Sequence, residues 1–228
     1  MAPREVFSSV PGGPVAVLGA AGHTGRFVVA ELLRRGFTPV AIGRDAARLA
    51  EAGFAQQSVE TRVATVVDPI SLDRALADVA AIINCAGPVL DTAEPLAAAA
   101  IRQRIPYLDI SAEQPSARAL FEQLGDQAED AGVLLVPAMA FYGGLADLLA
   151  TAAMGSWTSA DAVDIGIALD SWRPTRGTRI TGERNTARRL FISGGRLEPL
   201  PIPAPQMSRT FPEPFGVQEA VELPFSET

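Results

Sequence analysis

The stretch VAVLGAAGHTGRFVVAELLRRG, residues 15–36, decides the fold. It opens with the apolar run VAVLG and continues through three glycines, each separated from the next by two residues. It ends in a segment whose apolar residues recur at helical spacing up to Gly36. The first part is typical of a buried strand and the last part of an amphipathic helix. The stretch therefore predicts a strand, a tight turn and a helix.

The same alternation continues to about residue 157. Short apolar runs predict strands at 15–19, 38–43, 62–68, 80–87, 106–111 and 133–138. Helical patterns follow them at 24–36, 45–53 with Asp45 as N-cap, 71–79 capped by Ser71, 92–104 with Pro95 in the first turn, 115–132 and 143–156. Continuous apolar strands are expected where helices cover both faces of a sheet. The chain is predicted to be α/β, with a Rossmann-like, doubly wound parallel sheet of about six strands.

Three segments are expected along the chain. Residues 1–13 are small, polar and rich in Pro and Gly, so they predict a flexible leader. Residues 14–157 would form the sheet domain, and residues 158–228 a partial second α/β domain for substrate or dimer contacts. Alternating apolar residues predict a half-buried strand at 162–170. The proline-rich tail from Glu198 is interpreted either as a linker or disordered segment, or as extended chain of the second domain.

Composition and charge exclude several classes of function. The net charge of −7 disfavours nucleic acid and anionic membranes, and no apolar stretch is long enough to span a bilayer. A cytoplasmic location is the default. All 19 basic residues are arginine, which excludes mechanisms that need a catalytic lysine. One histidine, His23, and one cysteine, Cys85, exclude a His-rich or Cys-based metal site and an internal disulfide.

The glycines Gly19, Gly22 and Gly25 form the pattern GxxGxxG between the first strand and the first helix. A glycine lets the chain turn sharply out of the strand, the next lets the backbone approach a pyrophosphate, and the third allows close helix–sheet packing. The helix N terminus then faces the phosphates. We expect cofactor contacts from Gly19, Ala21, Gly22, His23, Thr24 and Gly25. The alternative is a corner that binds nothing, with His23 as an ordinary loop residue.

The end of the second strand indicates which dinucleotide would bind. An NAD site needs an Asp or Glu there, to accept a hydrogen bond from the ribose 2′-hydroxyl. This chain has Gly43 and Arg44 in that place, and Asp45 is predicted to cap the next helix. A guanidinium pairs with a 2′-phosphate, so Arg44 favours NADP. The alternative is a solvated surface arginine.

Two further strand ends should lie near the cofactor. Asp68 is placed to meet the adenine, or else is simply a turn residue before Pro69. The run NCAGP would line the crevice near the ribose or nicotinamide, through Asn84, Cys85, Ala86, Gly87 and Pro88. Cys85 itself is better interpreted as a small apolar residue than as a nucleophile.

With these motifs placed, the chain resembles the saccharopine dehydrogenase-like NADP-binding family, and within it the branch of the trans-acting enoyl reductases. The resemblance rests, in order, on the 15–36 stretch and on AIGRDAARL, DPISL, INCAGP, IPYLDISAE and VPAMAFYGGLADLLA. It covers residues 15–155 well and 160–228 loosely. It implies a Rossmann domain, a second α/β domain and NADP-linked redox chemistry on a carbonyl, imine or enoyl substrate. Members usually exceed 300 residues, so the resemblance also implies a shortened C-terminal domain.

Few residues could supply a proton to such a substrate. Tyr107 and Tyr142 are the only tyrosines, and neither begins a Tyr-x-x-x-Lys pair, which excludes the short-chain dehydrogenase mechanism. Tyr142 is a candidate proton donor or a packing residue. Asp109 is a candidate for orienting a ribose or substrate, or a loop hydrogen-bonding residue. The sequence thus predicts an NADP-dependent oxidoreductase with a small-molecule substrate, and a homodimer is one option. The alternative is a non-catalytic NADP(H)-binding module for redox sensing or partner binding.

Overall fold

The computed structural model describes residues 12–224. Within them the chain divides into two compact units. The first contains the described residues up to Asp109 together with Ala119–Pro137, and the second contains Ile110–Arg118 and the described residues from Ala138 onward. Of the leader predicted at 1–13, only Gly12 and Gly13 lie inside the described residues.

The first unit is a six-stranded parallel sheet with helices on both faces. Its strands are β1 (Val15–Leu18), β2 (Pro39–Gly43), β3 (Glu60–Val63), β4 (Ala81–Asn84), β5 (Tyr107–Asp109) and β6 (Leu135–Val136). They lie in the order β3-β2-β1-β4-β5-β6, and every neighbouring pair is parallel. The predicted α/β class and doubly wound sheet are confirmed.

Helices connect these strands. They are α1 (His23–Arg34), α2 (Ala46–Glu51), α3 (Pro69–Ala75), α4 (Val89–Gln103), α5 (Gln114–Ala119) and α6 (Gly125–Ala131), with a short 3₁₀ turn at Ala55–Gln57. All belong to the first unit except α5, which lies in the second unit up to Arg118. A π-helical turn, Leu120–Leu124, separates α5 from α6, where a single helix was predicted. One core layer joins the sheet to α3 and α4, and a smaller layer joins it to α1 and α2.

Several predicted boundaries are wrong. Asp68, not Ser71, caps α3, because its carboxylate accepts hydrogen bonds from the backbone N–H groups of Ile70 and Ser71. Helix α4 begins at Val89, so Pro95 lies in the helix interior and not in the first turn. Strand β3 ends at Val63, because the chain then turns and Asp68 N–H bonds to the Thr65 carbonyl.

The second unit contains a π-helical turn at Phe141–Leu145, helices α7 (Ala146–Met154) and α8 (Arg176–Arg184), and two antiparallel hairpins. The hairpins pair β7 (Leu190–Ser193) with β8 (Arg196–Pro199), and β9 (Gln206–Thr210) with β10 (Val217–Val221). The Gln114 side chain joins the start of α5 to β7, since it donates to the Leu190 carbonyl at 2.8 Å and accepts from the Leu190 N–H at 3.0 Å.

One prediction about this unit is wrong, and of two alternatives left open for the tail the structure agrees with one. The segment 162–170 forms no strand, and its apolar side chains at 163, 165, 167 and 169 are exposed. Apolar alternation is only half of what a strand needs, and this segment lacks a paired neighbour among the described residues. The tail from Glu198 contributes to β8, β9 and β10, which matches the extended-chain interpretation and not the linker.

Candidate functional site

The glycine turn packs directly against the loop that follows β4. Gly19 has a φ of +78°, a conformation that L side chains rarely adopt. A Cβ atom at Gly19 would lie 2.8 Å from the backbone N and Cα of Ala86. Strands β1 and β4 are neighbours in the sheet, and this is where the strand order reverses. In open α/β sheets ligands bind at this switch point, outside the carboxyl ends of the strands.

The other two glycines lie at the tight entry into α1. A Cβ atom at Gly25 would overlap the Gly19 carbonyl oxygen and lie 2.7 Å from the Ala20 Cα. At Gly22 a Cβ atom would lie 3.0 Å from the same carbonyl oxygen. Since these neighbours are backbone atoms, they cannot move aside as a flexible side chain would. Gly19 and Gly25 are therefore steric requirements of this turn, whereas a side chain at Gly22 would make only a tight contact.

The N terminus of α1 is suited to hold an anion. Gly22 is the N-cap residue, and no side chain of residues 12–224 caps this end of the helix. His23 and Thr24, the first helical residues, are exposed, and the His23 ring meets Phe27 edge-on at 5.4 Å. Uncapped N–H groups and the positive end of the helix dipole favour a phosphate here. The turn and the helix start fit the pyrophosphate of a dinucleotide.

Arg44 and Asp45, which follow β2, have different roles. Asp45 is the N-cap of α2 and accepts from the Arg48 backbone N–H at 3.1 Å, as predicted. Arg44 is exposed and makes no hydrogen bond or ion pair with any other residue that the structure describes. The acidic side chain is thus engaged by its own helix, while the neighbouring guanidinium is available to a ligand anion. This arrangement suits a 2′-phosphate better than a ribose 2′-hydroxyl.

Polar groups beneath the β4 loop form a buried network. Asn84, Tyr107 and Asp109 have no exposed surface, and Thr92 on α4 is also buried. Asn84 Nδ2 donates to Thr92 Oγ1 and to Tyr107 Oη, and Tyr107 Oη donates to Asp109 Oδ2 at 2.9 Å. The sequence analysis did not predict Thr92 and Tyr107 as functional residues. Two features of the sequence could have indicated them: Tyr107 and Asp109 lie two residues apart on one strand and so share a face, and Thr92 interrupts an apolar helix face.

Cys85 lies in the same loop and is half-buried. Burial raises the pKa of the Cys85 thiol to about 12, and the negative charge of Asp109 adds to the rise. A thiol with so high a pKa carries almost no thiolate near neutral pH, which agrees with its interpretation as an apolar residue.

The two candidate catalytic residues lie in different units. Asp109 ends β5 in the first unit, where its carboxylate accepts from Tyr107. Tyr142 lies in the π-helical turn of the second unit, half-buried, with its ring edge-on to Phe141 at 5.3 Å. Asp68 is exposed and caps α3. This local role agrees with its interpretation as a turn residue, and a contact with the adenine stays a prediction. Their roles toward a cofactor or substrate stay predictions.

The described residues, 12–224, contain no group of His, Cys, Asp and Glu side chains that could hold a metal ion. In the same range no helix is long and apolar enough to cross a membrane.

Comparisons with known proteins give related results for sequence and structure. A probable mitochondrial saccharopine dehydrogenase-like oxidoreductase of Arabidopsis thaliana is 32% identical over 142 residues, which is 56% of this chain and 31% of that protein. The saccharopine dehydrogenase-like oxidoreductase of Homo sapiens is 23% identical over 226 residues, 87% of this chain and 52% of that protein. The chain thus spans between about a third and a half of the length of these relatives.

Among solved structures, the apo saccharopine dehydrogenase (L-Glu forming) of Saccharomyces cerevisiae superposes with a TM-score of 0.54 at 21% identity, over 63% of this chain and 31% of that one. This likeness supports the fold. Residues 15–136, more than half of the chain, match the family profile of the saccharopine dehydrogenase NADP-binding domain. The chain therefore belongs to the saccharopine dehydrogenase-like oxidoreductase family, and NADP is the cofactor of its Rossmann domain.

Proposed function

We propose that this protein is an NADP-dependent oxidoreductase that acts on a small carbonyl, imine or enoyl substrate. When bound, the cofactor supplies or accepts the hydride, and the protein must hold it and manage any proton. The observation that carries the proposal concerns two neighbouring strand ends. Within residues 12–224, no side chain caps the N terminus of α1, and Arg44, which follows β2, has no hydrogen-bond or ion-pair partner. Together they provide for a pyrophosphate and a 2′-phosphate.

The proposed cofactor contacts follow from this arrangement. The turn residues, namely Gly19, Ala21, Gly22, His23, Thr24 and Gly25, would hold the pyrophosphate, and Arg44 the 2′-phosphate. Asp68 would lie at the adenine end. The loop Cys85–Pro88, which packs on Gly19, would line the ribose–nicotinamide half. Asp109 and Tyr142 stay the candidate catalytic residues.

A titration tests the cofactor part of the proposal. Wild-type protein should bind NADPH more tightly than NADH, as followed by nicotinamide fluorescence. Replacing Arg44 with Ala removes a charged hydrogen-bond donor worth about 1.5–3 kcal/mol, so NADPH affinity should fall by about tenfold or more. NADH affinity should change by less than about twofold, because NADH lacks the 2′-phosphate.

The matched control is Arg35→Ala, which also removes one positive charge. Arg35 follows the C-terminal end of α1 and pairs with Glu31 at 2.6 Å, away from the glycine turn. The Arg35→Ala variant should bind NADPH and NADH with wild-type affinity. Equal losses of NADPH and NADH binding in Arg44→Ala would contradict the assignment of Arg44.

A second candidate function is a non-catalytic NADP(H)-binding module. It is favoured by the burial of Asp109, whose carboxylate accepts from Tyr107, and by the lack of lysine in the chain. NADPH oxidation with a panel of carbonyl, imine and enoyl compounds separates the two. Turnover supports the enzyme, whereas NADPH binding without turnover on the panel supports the module.

The remaining expectations belong to the same proposal. A small-molecule substrate fits an oxidoreductase, and the net charge of −7 disfavours nucleic acid. A homodimer and a cytoplasmic location are predictions from sequence, and one relative carries a mitochondrial name.

A further inference from the structure

We propose that Asn84, Thr92, Tyr107 and Asp109, here called the buried quartet, are positioning residues that hold the loop Cys85–Pro88 in the shape that receives the ribose–nicotinamide half of NADP(H). This inference rests on the proposed cofactor site. It assigns a positioning role to four buried side chains, and for Asn84 and Asp109 this role replaces the direct contact with cofactor or substrate that the sequence predicts.

The quartet is a chain of hydrogen bonds with consistent donors and acceptors. The Asn84 amide donates one hydrogen to Thr92 Oγ1 at 3.1 Å and the other to Tyr107 Oη at 3.2 Å. The Tyr107 hydroxyl in turn donates a hydrogen bond to Asp109 Oδ2 at 2.9 Å. Burial, and then the charge of Asp109, raise the pKa of Tyr107 above its ordinary value, so the phenol stays protonated and keeps donating.

The same side chains bond both backbone groups of Ala86. Asn84 Oδ1 accepts from the Ala86 N–H at 3.0 Å, and Thr92 Oγ1 donates to the Ala86 carbonyl at 2.7 Å. Ala86 is also the residue whose backbone leaves no room for a Cβ atom at Gly19. The quartet therefore fixes the loop that packs against the glycine turn, and with it the spacing between the two walls of the crevice.

Burying polar side chains in an apolar layer costs free energy, which indicates that these four side chains are there to hold the loop. Tyr107 lies in the apolar layer formed with α3 and α4, where an apolar side chain would need no partner. A fully satisfied buried network specifies one arrangement of the groups it joins, whereas a broken one leaves polar atoms without partners. Arg44, by contrast, follows β2 and shares no hydrogen bond with the quartet. Loss of the quartet should therefore affect one half of the cofactor only.

The test compares two ligands on full-length protein: NADPH, and 2′,5′-ADP, which carries the adenosine and the 2′-phosphate but no nicotinamide. Thr92→Val keeps the side-chain shape and removes the hydroxyl, and Thr92→Ser keeps the hydroxyl. We expect Thr92→Val to weaken NADPH binding at least fivefold, with 2′,5′-ADP binding changed by less than twofold. Thr92→Ser should retain wild-type affinity for both ligands.

Tyr107→Phe is the second variant, for the case that Thr92→Val does not fold. It should likewise weaken NADPH binding while leaving 2′,5′-ADP binding nearly unchanged. The fluorescence emission of bound NADPH should also shift, because the nicotinamide environment changes. Unchanged NADPH binding in a folded variant, or equal losses for the two ligands, would overturn the inference while leaving the proposed function intact. Wild-type protein that binds neither ligand would overturn both.

Discussion

At the scale of single residues, neighbours in sequence have separate tasks at the candidate site. Asp45 caps α2, so the carboxylate nearest to the end of β2 is already used, while Arg44 beside it has no partner among residues 12–224. A one-residue difference in position thus separates a helix cap from the residue that is proposed to contact the ligand anion. Sequence could predict the cap because capping has a local signature, an Asp immediately before a helical pattern.

Cys85 offers a residue-scale prediction about pH. Its thiol pKa is raised from an ordinary value near 9 to about 12. Alkylation by iodoacetamide needs the thiolate, so the rate should be far below that of glutathione at pH 8 and should keep rising through pH 11. Because the folded pKa exceeds the unfolded one, this group's contribution to the free energy of unfolding is complete below pH 9 and decreases from there to about pH 12.

The control for this prediction is the same protein in denaturant, where the thiol should react as glutathione does. Asp109→Asn should lower the thiol pKa only modestly, since burial is the larger cause and the carboxylate the smaller one. A folded-state alkylation rate that levels off near pH 9 would contradict the raised thiol pKa, and with it the burial of Cys85 near the Asp109 carboxylate.

At the scale of elements, the starts of α2, α3 and α8 are capped by side chains that accept hydrogen bonds from backbone N–H groups. Asp45→Ala should lower the free energy of unfolding by about 1 kcal/mol, because the Arg48 N–H loses its acceptor. Asp45→Asn keeps an acceptor oxygen and should lie within a few tenths of a kcal/mol of wild type. Urea unfolding followed by circular dichroism measures both, and equal stabilities of the Ala and Asn variants would contradict the cap.

Elements were predictable where the signal was local. Apolar runs located β1, β2 and β4 to β6, and the glycine turn located α1, because each pattern reflects burial of the segment itself. The segment 162–170 has the alternation of a strand and is not one, since a strand also needs a neighbouring strand to pair with, which local sequence does not show. The buried quartet was missed for the same reason: Asn84, Thr92 and Tyr107 come from three elements, and only the fold brings them together.

At the scale of the whole molecule, the larger core layer of the first unit combines small and large side chains. Four alanines of α4 (Ala93, Ala97, Ala99 and Ala100) are buried, which lets the helix lie close to the sheet, and large leucine, isoleucine and tyrosine side chains fill much of the rest of the layer. Leu96 is one of these large side chains and has no exposed surface. A cavity at Leu96 would be bounded by closely packed backbone and could not collapse easily.

Leu96→Ala should therefore lower the free energy of unfolding by about 2–5 kcal/mol, the range for buried leucines that leave a cavity. Leu148→Ala on α7 is the matched control, because Leu148 is 61% exposed and alanine is a strong helix former, so stability should change by less than about 0.5 kcal/mol. Urea unfolding monitored at 222 nm measures both, since α4 is the longest helix of the described chain. If the two variants lost stability equally, the layer between α4 and the sheet would not be the core that holds the cofactor domain together.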